Sequence, residues 1–226
     1  MQKSAPLFTP VLIVGSIIVM TGFAIRASFG VFQIPIAEEF GWLRADFSLA
    51  IAIQNLFWGI GQPIFGAIAE KIGDRKAIIL GALFYAAGLL LSAGATTPLA
   101  HQIYETLVGF VVAGTGFGVV LAVVGRASSA ENRSMSLAIA TAAGSAGQMI
   151  GAPLAEVLLG YMTWQMVFMT FAAAILGVLL LLPLRRAPQT ATKAELEETM
   201  GQILVRAFKD LEIGRASCRE RVYVLV

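Results

Sequence analysis

The chain has 226 residues, of which 58% are apolar and 13% are charged, and its formal net charge is +2. Soluble domains contain roughly 45–50% apolar and about 25% charged residues, so this composition excludes an ordinary soluble protein and indicates a membrane protein. A nucleic-acid partner is not expected, because no basic stripe with interleaved aromatic residues occurs. The single cysteine, Cys218, and the single histidine, His101, form no disulfide, metal or catalytic motif, so we expect no metal, no cofactor and no enzyme activity.

Six stretches without a charged residue follow one another along the chain. They cover residues 4–25, 47–69, 77–104, 106–125, 134–155 and 161–184. Each has the roughly 20 residues that a helix needs to cross the hydrocarbon core of a bilayer. Backbone amides in lipid must be paired within a helix or a closed barrel, and the period-2 alternation of a barrel is not present. We therefore expect an all-α membrane protein with six transmembrane helices.

The basic residues gather at one set of helix ends, whereas the other set has only Arg44. The first set consists of Lys3, Lys71, Arg75, Lys76, Arg126, Arg133, Arg185, Arg186, Lys193, Arg206 and Lys209. By the positive-inside rule this set lies in the cytoplasm. The sequence therefore predicts a multi-pass protein of the lipid bilayer with a cytoplasmic N-terminus.

The first span carries an arginine, Arg26, about 7–8 Å beyond its middle at a rise of about 1.5 Å per residue. A charge at such a depth costs about 2.5–3.5 kcal/mol on insertion scales, and a guanidinium cannot lose its proton. Three interpretations remain open. Arg26 binds an anionic substrate, or it pairs with a carboxylate, or its side chain extends toward the outer surface. The candidate carboxylates are Glu38, Glu105 and Glu156.

Small and polar residues follow one face of the first, second and fifth spans. Gln33 shares the face of Arg26, Asn55 lies with Gln62 and two glycines on the second span, and Thr141, Ser145 and Gln148 lie on the fifth. Such faces either allow close helix packing with amide hydrogen bonds, or line a polar cavity. We take Arg26, Gln33, Asn55, Thr141, Ser145 and Gln148 as the candidate substrate-binding residues.

The end of the second span carries a motif, GAIAEKIGDRK, at residues 66–76. It resembles the loop 2–3 signature of the major facilitator superfamily, with glutamate in place of the usual aspartate. The resemblance implies a gate built from Gly66, Glu70, Lys71, Gly73, Arg75 and Lys76, in which the carboxylate latches the cytoplasmic side against a second six-helix half. Gly66 would allow a neighbouring helix to approach, and Gly73 would allow the turn into the third span.

Two decapeptides on opposite sides of the membrane resemble each other. GQPIFGAIAE at residues 61–70 aligns without gaps with GQMIGAPLAE at residues 147–156. The match predicts that the first three and last three spans form an inverted repeat, the architecture of one half of the superfamily's fold. Glu156 then becomes the outer counterpart of Glu70, a gate residue rather than a proton carrier.

The sequence changes character after the sixth span. Residues 1–186 form the predicted six-helix bundle, and residues 187–211 form a cytoplasmic linker whose capping box, Thr192 to Glu195, opens an amphipathic helix. Residues 212–226 contain EIGRASCRERV, which resembles a translated sequencing adapter, and we expect this tail to be an artefact. The natural protein would then continue into a C-terminal six-helix half that is missing here.

Further stretches narrow the resemblance. RASFGVF at residues 26–32, EFGW at 39–42, RADFS at 44–48 and residues 133–148 resemble the bacterial monocarboxylate-porter-like branch, near the oxalate and formate exchangers. The resemblance implies a secondary active transporter of the bacterial inner membrane that moves small organic anions by proton symport or anion exchange through alternating access. A proton or a counter-anion would be the coupling species. The alternatives are an exporter of drug-like solutes, in which Arg26 is ion-paired, and a non-transporting membrane assembly protein.

Overall fold

The computed structural model describes residues 6–180, and its secondary structure over that range is entirely helical. The predicted linker and tail, residues 187–211 and 212–226, lie outside the described residues, as does the end of the predicted bundle. The helices are α1 (Pro10–Ser28), a 3-10 segment (Phe29–Phe32), α2 (Gln33–Phe40), α3 (Arg44–Ile72), α4 (Asp74–Ala93), α5 (Pro98–Thr115), α6 (Phe117–Ala127), α7 (Arg133–Leu159) and α8 (Trp164–Leu180).

These elements form the six spans expected from the sequence. The first span runs from α1 through α2, the fourth combines α5 and α6, and α3, α4, α7 and α8 are the second, third, fifth and sixth. By length and composition alone, Pro10–Phe40, Asp74–Ala93 and Pro98–Ala127 are long and apolar enough to cross a membrane, whereas the apolar helix Trp164–Leu180 is shorter. The second and fifth spans have 29 and 27 residues but carry the polar faces described above, which lower their hydropathy.

One predicted boundary is wrong. Residues 77–104 were expected to form a single span that ends before Glu105, but α4 ends at Ala93 and α5 begins at Pro98. The side chain of Thr97 accepts a hydrogen bond from the amide of Ala100 at 3.3 Å and starts α5 seven residues before the charge. Glu105 therefore lies inside the fourth span, not at its end.

The helix packing agrees with an inverted repeat of the first three and the last three spans. α1 packs along α7, and α3 packs along α5, so the first span of each three-helix group contacts the second span of the other group. A Cβ atom at Gly147 would come within 2.9 Å of the carbonyl carbon of Met20, and one at Gly61 would come within 3.2 Å of that of Phe110. Equivalent residues of the two decapeptides therefore make equivalent close contacts, as an inverted repeat requires.

The ends of the bundle differ in chemistry. The basic end carries Lys71, Arg75, Lys76, Arg126 and Arg133. There Arg126, at the end of the fourth span, forms an ion pair with Asp74, at the start of the third. At the opposite end, Trp164 Nε1 donates to Glu39 at 2.5 Å, and Gln165 Nε2 donates to the same carboxylate at 3.1 Å. This last contact ties the end of the first span to the start of the sixth.

Candidate functional site

Arg26 lies in the last turn of α1 and meets the middle of α3. Its Nη2 atom donates a hydrogen bond to Asn55 Oδ1, and its Cζ atom lies 4.2 Å from the centroid of the Trp58 ring. The side chain is half-buried, and among the described residues no carboxylate pairs with it. The guanidinium is therefore held by an amide and an aromatic face, both neutral. The ion pair that we considered with Glu38, Glu105 or Glu156 does not form.

Two buried donors in this cluster have no acceptor among the described residues. They are Arg26 Nε and Trp58 Nε1. Below them the ring of Phe23 meets Trp58 edge-on at 5.8 Å and stacks on Phe117 at 4.4 Å. The guanidinium therefore stacks on Trp58, which belongs to an aromatic floor of Phe23, Trp58 and Phe117 from α1, α3 and α6, and its Nε donor is not used by the described residues.

The remaining candidate binding residues make no hydrogen bond to Arg26. Gln33 Nε2 donates to the carbonyl of Arg44 at 3.1 Å and to Ser48 Oγ at 3.2 Å, and so ties α2 to the start of α3. Thr141 donates to the carbonyl of Leu137 in its own helix at 2.9 Å. Ser145 and Gln148 are exposed on α7 and make no side-chain hydrogen bond within residues 6–180. The structure therefore brings Arg26 and Asn55 together. The substrate-binding role of Gln33, Thr141, Ser145 and Gln148 stays a prediction.

The fourth span contains a buried polar cluster that the sequence analysis missed. Glu105 is 0% exposed, and its two oxygens accept from Gln54 Nε2 at 2.6 Å and from Ser92 Oγ at 2.8 Å. The uncharged runs place Glu105 at a helix end and make it a candidate partner of Arg26, and the structure contradicts both expectations. The threonine and proline at positions 97 and 98, a helix-start signal, are the feature that could have located it within the span.

The predicted gate residues lie at the expected ends of their helices. Glu70, Lys71, Arg75 and Lys76 are exposed at the basic end, and Gly73 has a φ of 90° at the predicted turn. A Cβ atom at Gly66 would have no neighbour within 4 Å, so no close helix approach among the described residues explains this glycine. Glu156 is exposed three residues before the end of α7. Asp74, the partner of Arg126, is not among the predicted gate residues.

A pocket of about 580 Å³ lies at the opposite end between α2, α7 and α8. It is lined by Pro35, Glu38, Glu39, Leu159, Met162, Thr163 and Trp164. None of the candidate substrate-binding residues lines it, so this pocket and the Arg26 cluster are separate features.

The family model described as "Major Facilitator Superfamily" matches residues 12–224, a range that continues through most of the tail that we expected to be an artefact. The chain is 28% identical to "Monocarboxylate transporter 13" of Rattus norvegicus over 184 residues, 75% of this chain and 40% of that protein. It is 22% identical to "Voltage-gated purine nucleotide uniporter SLC17A9" of Homo sapiens over 152 residues, 65% of this chain and 34% of that protein.

A third relative is "Multidrug resistance protein MdtH" of Cronobacter sakazakii (strain ATCC BAA-894), 30% identical over 106 residues, which are 46% of this chain and 24% of that protein. The chain thus spans between 24% and 40% of the length of these relatives. Together with the six-span bundle and its inverted repeat, the family match over residues 12–224 shows that the chain belongs to the Major Facilitator Superfamily.

Proposed function

We propose that this chain is the N-terminal half of a secondary active transporter for small organic anions such as monocarboxylates. The transporter works by proton symport or anion exchange through alternating access, and a second six-helix half completes it. It resides in a bacterial inner membrane with its N-terminus in the cytoplasm. The observation that carries the proposal is a membrane arginine, Arg26, whose partners among the described residues are both neutral.

The energetics of Arg26 favour an anionic ligand. A guanidinium within a membrane protein is costly unless its charge and its donors are compensated, and a carboxylate compensates both with paired hydrogen bonds. Neither Asn55 nor Trp58 supplies a negative charge, and Arg26 Nε has no acceptor among the described residues. An incoming carboxylate would add both the charge and a second hydrogen bond. The polar residues of α7, Thr141, Ser145 and Gln148, are proposed to contact the rest of the substrate.

The name of the rodent relative, a monocarboxylate transporter, agrees with this substrate class. The gate motif at the basic end and Glu156 at the opposite end are proposed to close the two sides of the site in turn, as an inverted repeat permits. A proton or a counter-anion is the coupling species, and no metal or other cofactor is involved in this proposal.

A second candidate is an exporter of drug-like solutes. The observation in its favour is that Arg26 already has a hydrogen bond to Asn55 and a stacking contact with Trp58, so the arginine has internal partners without a substrate. In that case the aromatic floor of Phe23, Trp58 and Phe117 would contact an apolar solute, and the charge of Arg26 would be structural.

Uptake by the complete transporter in proteoliposomes separates the two candidates. We expect saturable uptake of acetate, lactate or pyruvate by the wild type and none by Arg26→Ala, because the lost contact is a charge-assisted one. Arg26→Lys keeps the charge but not the planar fork, so its apparent affinity should fall without vanishing. Arg44→Ala is the matched control, because it removes an exposed arginine at the end of the bundle that faces away from the basic end, and this variant should transport normally. Unchanged uptake by Arg26→Ala at normal expression would favour the exporter.

A further inference from the structure

Asn55 is held in one orientation by its own helix. Its Nδ2 atom donates to the carbonyl of Ile51, one turn earlier, at 2.8 Å. This bond uses the amide nitrogen and leaves the oxygen, Oδ1, as the acceptor for Arg26 Nη2. Asn55 therefore presents to Arg26 a fixed, neutral oxygen of the same kind as one oxygen of a carboxylate.

The contact between Asn55 and Arg26 uses one donor of a guanidinium edge that has two. Nη2 and Nε belong to the same edge of the guanidinium, and Nε has no acceptor among the described residues. A single amide oxygen cannot satisfy both donors, whereas a carboxylate has two oxygens spaced for such a fork. A carboxylate that replaces Asn55 would therefore add one hydrogen bond and one charge interaction.

The hydrogen bond between Arg26 Nη2 and Asn55 is exposed, whereas Arg26 Nε is buried, so an incoming anion meets the Nη2 end of the guanidinium edge first. The stacking of the guanidinium on Trp58 at 4.2 Å involves the face of the group and not its edge, so it can persist when the edge changes partner. The exchange then needs only a movement of the guanidinium within its plane, while the bond to Ile51 keeps Asn55 in place.

We propose that Asn55 is an internal competitor of the transported carboxylate: its side-chain oxygen holds Arg26 until a carboxylate takes over the guanidinium edge, and it takes Arg26 back when the carboxylate leaves. The inference rests on the proposed function, because it assumes that Arg26 binds the substrate. It changes the role of Asn55, which becomes a positioning residue for Arg26 and not a ligand of the substrate.

Such a competitor suits a transporter because release is as necessary as binding. Without an alternative acceptor, the departure of the anion would leave a guanidinium unpaired inside the membrane protein, and that cost would slow release. The oxygen of Asn55 lowers this cost and so weakens binding. A competitor and a direct ligand predict opposite signs when the side chain is removed, and this difference makes the test decisive.

The experiment measures the dissociation constants of radiolabelled acetate, lactate and pyruvate on the purified complete transporter. Asn55→Ala should lower the dissociation constant about tenfold, the equivalent of about 1.4 kcal/mol, and should slow exchange because the anion leaves more slowly. Asn55→Asp should place a carboxylate against Arg26 and raise the dissociation constant at least tenfold, while the protein remains folded. Asn55→Ser, with a side chain too short to reach, should behave like the alanine variant.

The control is Thr170→Ala, which removes another side chain that bonds the carbonyl four residues earlier, that of Met166 at 2.8 Å, but on the sixth span. It should bind like the wild type. A dissociation constant that rises or stays unchanged in both Asn55→Ala and Asn55→Ser, with wild-type binding intact, overturns the competitor role alone. If the wild type binds none of the three carboxylates, the proposed function fails, and the competitor role fails with it.

Discussion

The close contact between α1 and α7 can be tested with one methyl group. At Gly147 an added Cβ atom would lie 2.9 Å from the carbonyl carbon and 3.0 Å from the Cα atom of Met20. Both atoms belong to backbone, which cannot rotate out of the way as a side chain can. Gly147→Ala should therefore push α7 away from α1, and the inverted repeat predicts the same for Gly61→Ala on α3, where the neighbour is Phe110.

The size of the effect follows from these distances. Ordinary carbon contacts are about 3.5–4.0 Å, so the helices must separate by roughly 0.5–1 Å, which forfeits a quarter to a half of each contact energy. Overpacking of this kind costs about 1–3 kcal/mol, and the higher helix propensity of alanine returns up to about 1 kcal/mol. A net loss of about 1–2 kcal/mol corresponds to a fall in Tm of about 2–8 °C for a domain of this size.

Thermal melting of the detergent-solubilised protein measures this loss. The matched control is Gly177→Ala on α8, where a Cβ atom would meet nothing within 4 Å. That variant should melt at the wild-type temperature or slightly above it, because only the propensity gain applies. If Gly147→Ala melts at the same temperature as Gly177→Ala, α1 and α7 do not approach as closely as described. The inverted repeat would then lose its main support from helix packing.

Three further predictions concern the ends and the interior of the bundle. Asp74→Asn should lower the free energy of unfolding by about 1 kcal/mol, because the paired side chains of Asp74 and Arg126 are only 17% and 29% exposed, and this loss should shrink in high salt. A double variant, Asp74→Arg with Arg126→Asp, should recover most of the lost stability, and no recovery would argue against the ion pair. Glu105→Gln should change the free energy of unfolding by less than about 1 kcal/mol, whereas Glu105→Ala should lower it by about 2 kcal/mol or more, because Gln54 and Ser92 lose their buried acceptor. Equal losses in both variants would refute the role of the hydrogen bonds. In a cysteine-free background, a membrane-impermeant maleimide should label a cysteine at the exposed position 45, in the first turn of α3, in intact cells and one at the loop position 130 only after permeabilisation, and the reverse pattern would invert the proposed orientation.

Sequence patterns were sufficient for the fold because the membrane imposes them. A helix in lipid must be long, apolar and internally hydrogen-bonded, so runs without charge located all six spans. The inverted repeat was readable because its contacts depend on glycine, and the backbone approach at Gly61 and Gly147 leaves little room for another residue. The one wrong boundary arose because a charge was taken as the end of a span. Glu105 is tolerated inside the bundle because neighbouring helices supply two donors.

The partners of the site residues could not be predicted from the sequence. Which side chain on a neighbouring helix meets Arg26 depends on the rotation of that helix about its axis, and sequence spacing does not set this rotation between separate helices. The sequence offers Glu38, Glu105 and Glu156 as partners of Arg26, and the structure has Asn55 and Trp58 instead. Similarly, Asp74 lies within the gate motif, but its partner, Arg126, is 52 residues away along the chain.

The link between Glu39 and Trp164 has a consequence for how the protein is made. Its two residues are 125 positions apart, so at about 5–20 residues per second the ribosome needs about 6–25 s to supply the tryptophan after the glutamate has emerged. During that interval the first span is already made, but its last turn has no indole to bind. Because Glu39 is exposed at a helix end, water can hydrate the carboxylate while it waits, and early insertion of the first span carries no penalty from this group. The contact can form only when the sixth span has been made.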